Sequence, residues 1–323
     1  LNPSPYAYQP FWPDEIVCSR HSDGTARCCS CGRYEPLARG AVGRFADLED
    51  RGRKSCGACL RTVVTDSDEG TGLWHQALRH FRLDLGLFED EGGMSKAGMR
   101  GAMERVPVLI VGHDSLNDPS VRGTGHGAHD DDDVSSASHT RGLCLYEYTQ
   151  HPLGGQLRAF LRGVNCNATV SAVLEAMGGD GFAAAAAAAA SGAHITAVLC
   201  LRGLPRDLAA SVLAHEATHA WFKLHPRYDP TRHMPRQVEE GCCQLVAFLY
   251  LGHLDEQDVS EENYFVEEGP GDRKLRQYFQ YCIETMTDEV YGEGFRKAAA
   301  AYAKIGSVRA LLEFVAANCD FPR

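Results

Sequence analysis

Two cysteine pairs decide how the first part of this chain can fold. "CCSC" (28–31) and "CGAC" (56–59) each hold a C-x2-C unit, with 24 residues (32–55) between the units. Residues 1 to about 66 are rich in Cys, Arg and Gly and offer only short candidate strands such as Gly43-Arg44-Phe45. That is too little apolar surface for a core, so a metal ion must hold the segment together. Matched C-x2-C pairs are the pattern of structural zinc sites, which makes Cys28, Cys31, Cys56 and Cys59 the expected tetrahedral ligands. Cys29 is the spare thiol, with a one-residue shift of ligand still open on spacing alone. Cys18 and His21 look like the closing half of another finger whose first half would lie upstream of Leu1.

Six of the 13 cysteines fall in the first 60 residues, and others sit inside apolar segments, as Cys200 and Cys243 do. An odd, clustered set points to metal binding and reduced thiols rather than a secreted disulfide framework, so a cytoplasmic address is expected. With 43 acidic and 32 basic residues, a formal charge of -11 repels a phosphate backbone and argues against nucleic acid as a partner. The chain opens Leu1-Asn2-Pro3-Ser4-Pro5, with no early apolar block of a secretory signal. The most apolar stretch, Phe182 to Leu201, is mostly alanine broken by Ser191, Gly192 and His194, and is not expected to span a membrane. "GTGHGAHDDDDVSSASH" (123–139) reads as a solvated acidic loop, and the alanine-rich "GGDGFAAAAAAAASGAH" (178–194) specifies no partner.

Beyond residue 66 the pattern becomes that of a larger α+β unit. Leu73, Trp74, Leu78, Phe81 and Leu85 predict an amphipathic helix over 72–87, and "VPVLIVG" (106–112) predicts a strand. "ITAVLCLRGLP" (195–205) predicts a second strand that turns at Gly203 and Leu204, with Pro205 suited to the first turn of the next helix. That helix carries "LAHEATHAWFKLHP" (213–226) and ends at Pro226. Further helices are predicted over 237–251, 273–285, 294–302 and 307–317. Strands first and helices later favour an α+β fold.

His215 and His219, four apart on a helix, stand one above the other and can grip a single ion. Glu216 projects about 100° round the helix, beside such an ion, where a base acting on water belongs. An HExxH match arises by chance about once in twenty-five chains of this composition, so the motif needs its context. A catalytic zinc wants three protein ligands and an open position, and "RQVEEGCCQLVAFLYL" (236–251) offers Glu239 and Glu240 for the third. Periodicity does not choose between them, and acid in a first helical turn also suits the helix dipole. The gluzincin peptidases commonly place this glutamate just before a glycine, which "EEG" resembles, so the resemblance assigns Glu240 to the metal and Glu239 to a supporting role. "VYGEGFRKAAAAYAKIG" (290–306) resembles their tyrosine-x-x-glycine segment, which gives Tyr291 the role of oxyanion donor. A packing role is the plainer alternative for that tyrosine.

Taken together, "FWPDEIVCSRH", "RCCSCGRYEP", "RKSCGACL", "TRGLCLYE", "ITAVLCLRGLPRDLAASVLAHEATHAW", "QVEEGCCQ" and "VYGEGFR" resemble the plant LIM-domain peptidases of the DA-one type. The family's methionines inside the motif are Ala217 and Thr218 here, at positions that are not ligands. The resemblance implies a truncated LIM finger in 1–24, a LIM-like zinc-binding module in 25–66, and a gluzincin-like zinc metallopeptidase domain in 67–323. It implies at least two zinc ions, one catalytic and one structural. It also implies an endopeptidase, activated by attached ubiquitin, that clips ubiquitin ligases and deubiquitinases controlling cell proliferation and organ size. An extended substrate is expected to pair with the strand around Ile195 to Leu201. The rival expectation is a LIM-type adaptor whose peptidase-like part holds zinc in a closed, structural site. An aminopeptidase is disfavoured, because "LPRDLAASVLAHE" lacks the glycine-rich signature that precedes the motif in that class.

Overall fold

The computed structural model describes residues 6–8, 10–13, 15–18, 24–36, 44–90, 96–118, 141–148, 193–260 and 270–322. The acidic loop at 123–139, most of the alanine-rich stretch (178–192) and His21 lie outside them, and of Cys18 only the backbone is described.

The cysteine-rich part is built from two-residue and three-residue strands. β1 (Tyr6–Tyr8) pairs antiparallel with β2 (Ile16–Cys18), and β3 (Ala46–Asp47) pairs with β4 (Lys54–Ser55). The expected strand at Gly43-Arg44-Phe45 therefore begins later, at Ala46, where the chain turns through 47–53 to meet β4. Helix α1 (Gly57–Leu60) follows at once, then β5 (Val63–Val64).

α2 runs over Ser67–Leu83, five residues earlier than its apolar stripe predicts. Asp66 causes the shift: its side chain accepts from the Glu69 amide at 2.8 Å and caps the first turn. Leu73, Trp74, Ala77, Leu78 and Phe81 are buried on one face. The helix stops at Leu83, and Gly86, at φ +63°, turns the chain away. α3 (Ala97–Glu104) is a short helix the sequence reading did not anticipate. β6 (Val108–Val111) and α4 (His113–Leu116) come next, then β7 (Gly142–Tyr148) and β8 (Ala193–Leu201).

These strands form a mixed sheet ordered β6-β8-β7, with β6 parallel and β7 antiparallel to β8. β8 is the central strand, and over 198–200 both its edges carry sheet partners. An incoming peptide cannot add to an edge whose amides and carbonyls are already bonded, so the expected pairing is corrected over Val198 to Cys200: among the described residues the outer strands are β6 and β7.

The chain leaves β8 through Gly203, at φ +80°, into β9 (Leu204–Pro205), which pairs with β5. The Gly203 amide donates to the Val64 carbonyl at 2.9 Å, and the Arg206 amide to the Thr62 carbonyl at 2.7 Å. α5 (Arg206–Leu224) starts there, with Pro205 at its cap rather than in its first turn. α6 (Arg236–Ser260), α7 (Pro270–Thr285), α8 (Gly292–Ile305) and α9 (Val308–Asn318) complete the order. α6 outruns its predicted end at Leu251 because Gly252 costs only about 1 kcal/mol inside a helix.

α5 is buried nearly all round, with fourteen of its 19 residues inside. It lies against the sheet, α2 and α6, which places the His-Glu-x-x-His segment at the centre of an α+β core.

Candidate metal centres

Cys28, Cys31, Cys56 and Cys59 are all buried, and their sulfurs lie within 4.8 Å of one another. Cys31 Sγ and Cys56 Sγ are 3.6 Å apart, close to the ~3.8 Å separation of two thiolates held tetrahedrally at the usual zinc–sulfur distance. Arg33 lies across the cluster, its Nε donating to Cys31 Sγ at 3.1 Å and its terminal nitrogen to Cys56 Sγ at 3.4 Å. That guanidinium offsets part of the negative charge that four thiolates would bring. Cys29 stays outside the set and takes a long contact from Arg53 instead, at 3.8 Å.

The second cluster is made by α5 and α6. His215 Nε2 and His219 Nε2 are 3.2 Å apart, and Glu240 Oε2 stands 3.1 Å from the first and 3.4 Å from the second. Three ligands held tetrahedrally by zinc at ~2.05 Å would be ~3.3 Å from one another. The triangle has the size of the ion, so this donor set fits zinc.

The two glutamates divide as their 100° offset on α6 requires. Glu240 points into the triangle. Glu239, fully buried, takes the other face of the histidine, with Oε1 2.9 Å from His219 Nδ1. Lys223 Nζ, equally buried, donates to Glu239 at 2.8–3.0 Å and to the Tyr228 hydroxyl at 3.1 Å. An ionised Glu239 keeps the proton on Nδ1 and leaves the Nε2 lone pair free for an ion. Lys223 was not singled out from sequence, although its position four after His219 puts it on the same helix face.

The charges favour a cation here. Burial alone would lower the His219 pKa, but Cys243, Glu240 and the bond to Glu239 outweigh it and raise it well above the ordinary histidine value. Burial would likewise raise Glu240, yet the two histidines hold it well below the usual carboxylate range. Cys243, one turn beyond Glu240, is a further residue that sequence reading passed over: its sulfur lies within 4.8 Å of ligand atoms of both histidines.

Glu216 is buried beside the triangle. Burial, opposed by His215 and His219, raises its pKa above the ordinary value, and the Cys144 amide on β7 bonds to its carboxylate. Gly142, also on β7, faces the same carboxylate so closely that any side chain there would run into it. Tyr291, which leads into α8, lies with its hydroxyl 3.5 Å from Glu240 Oε1 and accepts from Arg236 at 3.1 Å. Burial, then Glu240, pushes its pKa up to about 12, so the hydroxyl keeps its proton.

Glycines bring α8 this near. A methyl group on Gly241 would collide with the Gly294 carbonyl, and one on Gly294 with the Gln237 carbonyl. The glycines of "EEG" and "YGEG" therefore let the two helix backbones touch and carry Tyr291 to Glu240.

Fold and clusters define an α+β chain with a four-cysteine cluster of small zinc-module type and a second, helical His-His-Glu cluster at its core. A family model described as DA1-like, Protein DA1, matches residues 101–317, and the chain belongs to that family. Among curated proteins it is similar to Protein DA1-related 1 (30 % identical) and Protein DA1 (31 %) of Arabidopsis thaliana, and to the LIM domain-containing protein HDR3 of Oryza sativa subsp. japonica (27 %). Each match covers 98 % of this chain but only 52 %, 53 % and 58 % of the relative, so the chain spans about half their length. No solved structure matches it. Among the described residues no helix is long and apolar enough to cross a membrane.

Proposed function

We propose that this chain is a zinc endopeptidase of gluzincin type that works in the cytoplasm on proteins of the ubiquitin system and is activated by attached ubiquitin. The observation that carries the chemistry is the triangle of His215, His219 and Glu240, zinc-sized, with Glu216 buried beside it. The substrates and the ubiquitin switch rest on the family resemblance.

His215 Nε2, His219 Nε2 and Glu240 Oε2 would hold the ion. When bound, zinc supplies Lewis acidity toward a water molecule and the scissile carbonyl. Glu216 accepts the water proton at its carboxylate, made more basic by burial, and passes it to the leaving amine. The Tyr291 hydroxyl donates to the carbonyl oxygen as negative charge grows on it. β7, an outer strand of the sheet among the described residues, passes directly beside Glu216 through Gly142 and Cys144, which suits an extended peptide laid near that strand.

Cys243 favours one rival. If its thiolate became a fourth ligand, the site would be closed, as structural zinc sites are, and the chain would serve as a LIM-type adaptor. One experiment separates the two. Cleavage of a ubiquitin-ligase substrate is followed for wild type, Glu216→Gln and Cys243→Ala, with and without attached ubiquitin, alongside zinc content. The peptidase reading expects full zinc in all three, a hundred- to ten-thousand-fold loss in Glu216→Gln, and activity retained in Cys243→Ala. Zinc lost from Cys243→Ala, with no cleavage by any form, would establish the closed site.

A further inference from the structure

Away from both clusters, the last turn of α2 and the second half of α6 bring two imidazoles and a carboxylate together. His80 and Asp84 are four apart at the end of α2, and His253 faces them from α6. His80 Nδ1 lies 3.0 Å from Asp84 Oδ2, and His253 Nε2 lies 3.7 Å from the same oxygen. One ligand atom from each residue falls within 4.8 Å of the others. We infer that His80, Asp84 and His253 form a separate binding site for a divalent late first-row transition ion of the zinc type, one that joins α2 to α6.

Three observations support this. The spacing brackets the ~3.3 Å separation of ligands around a tetrahedral zinc, so small side-chain rotations close it. The His80 and His253 rings are 4.2 Å apart, which sets two imidazoles, the usual ligands of such ions, side by side at the Asp84 carboxylate. Among the described residues the buried His80 Nε2 has no hydrogen-bond partner, and the ring's polar contact is made through Nδ1, on the side of Asp84. Two imidazoles and one carboxylate select zinc, cobalt, nickel or copper over magnesium and calcium. Asp84 is 45 % exposed, so water can fill the remaining coordination position.

The site is not an extension of the candidate peptidase centre. His253 is 13 residues beyond Glu240 on α6, about 20 Å along the helix. An ion here would pin the far half of the helix that presents Glu239 and Glu240, by fixing it to α2. The inference stands whether or not the chain cleaves peptides.

The competing account is a stack of aromatic rings, since His80 also lies 5.3 Å from Tyr250. Zinc titration of the chelator-stripped full chain separates the two, with bound ion counted after equilibrium dialysis and the melting temperature followed in parallel. His253→Phe keeps a ring on the stack without a ligand atom. Asp84→Asn changes an exposed side chain and keeps the test open if the phenylalanine variant misfolds. The wild type should take up one more equivalent than either variant, or hold that equivalent at least tenfold more tightly, and should gain more thermal stability from zinc. Equal uptake and equal affinity in all three would overturn the site, as would an extra ion bound by wild type and variants alike only at millimolar zinc.

Discussion

The four cysteines ahead of α2 and the His-His-Glu triangle on α5 and α6 are both sized for zinc, yet they differ in what surrounds them. Around the sulfurs the setting is closed: the thiols are buried, Arg33 lies across them, and four soft side chains are gathered to the size of a tetrahedral zinc site. The triangle has three protein corners, His215 keeps 14 % of its side chain exposed, and a base and a hydroxyl stand beside the gap. A cluster with four ligands can only hold shape; one with three, plus groups able to move a proton, can do chemistry. Cys243 is where the contrast is thinnest.

The contrast breaks most visibly through the sulfurs. Cys59→Ser should remove one zinc and most of the stabilisation that a structural ion supplies, on the order of 10 kcal/mol for the segment it organises. Limited proteolysis should then cut within 24–66, while zinc at the triangle remains. Loss of both ions would show the two clusters to be one cooperative unit. A smaller effect is expected at the open site: Tyr291→Phe should lower kcat about a hundredfold with KM little changed, checked by steady-state kinetics. Unfolding in its place would assign the tyrosine to packing. Smaller again, Gly241→Ala should force α6 and α8 apart at a cost of about 1–3 kcal/mol, read as a lower melting temperature, with turnover falling as Tyr291 retreats from Glu240.

Much of the candidate site was legible because it is local. Four residues of helix fix His215 over His219 whatever the fold, and the two C-x2-C pairs point to a four-thiol cluster, although spacing alone leaves Cys29 as an alternative that only the fold sets aside. The choice between Glu239 and Glu240 was not local. Both are acidic and adjacent, and only the contact of α6 with α5, with Lys223 waiting behind, turns one to the triangle and the other to His219 Nδ1. The order of the sheet was likewise hidden, since nothing within 195–201 says whether a strand lies at the centre or the edge. His80, Asp84 and His253 were invisible for the same reason: 168 residues lie between Asp84 and His253. Asp66 left a readable signal in "DSDE", an acidic cap followed three residues later by glutamate, and the apolar stripe overshadowed it.

The pairing of Val63 and Val64 with Pro205 and Leu204 bears on how this protein can be taken apart. A shortened version beginning at residue 67, where the amphipathic helix starts, would discard β5 and strip the Gly203 and Arg206 amides of their acceptors just where α5 begins. Beginning a few residues earlier, ahead of Thr62, would keep that two-stranded clasp and the register it gives the motif helix. The point of dissection is thus set by a pair of valines rather than by the last cysteine.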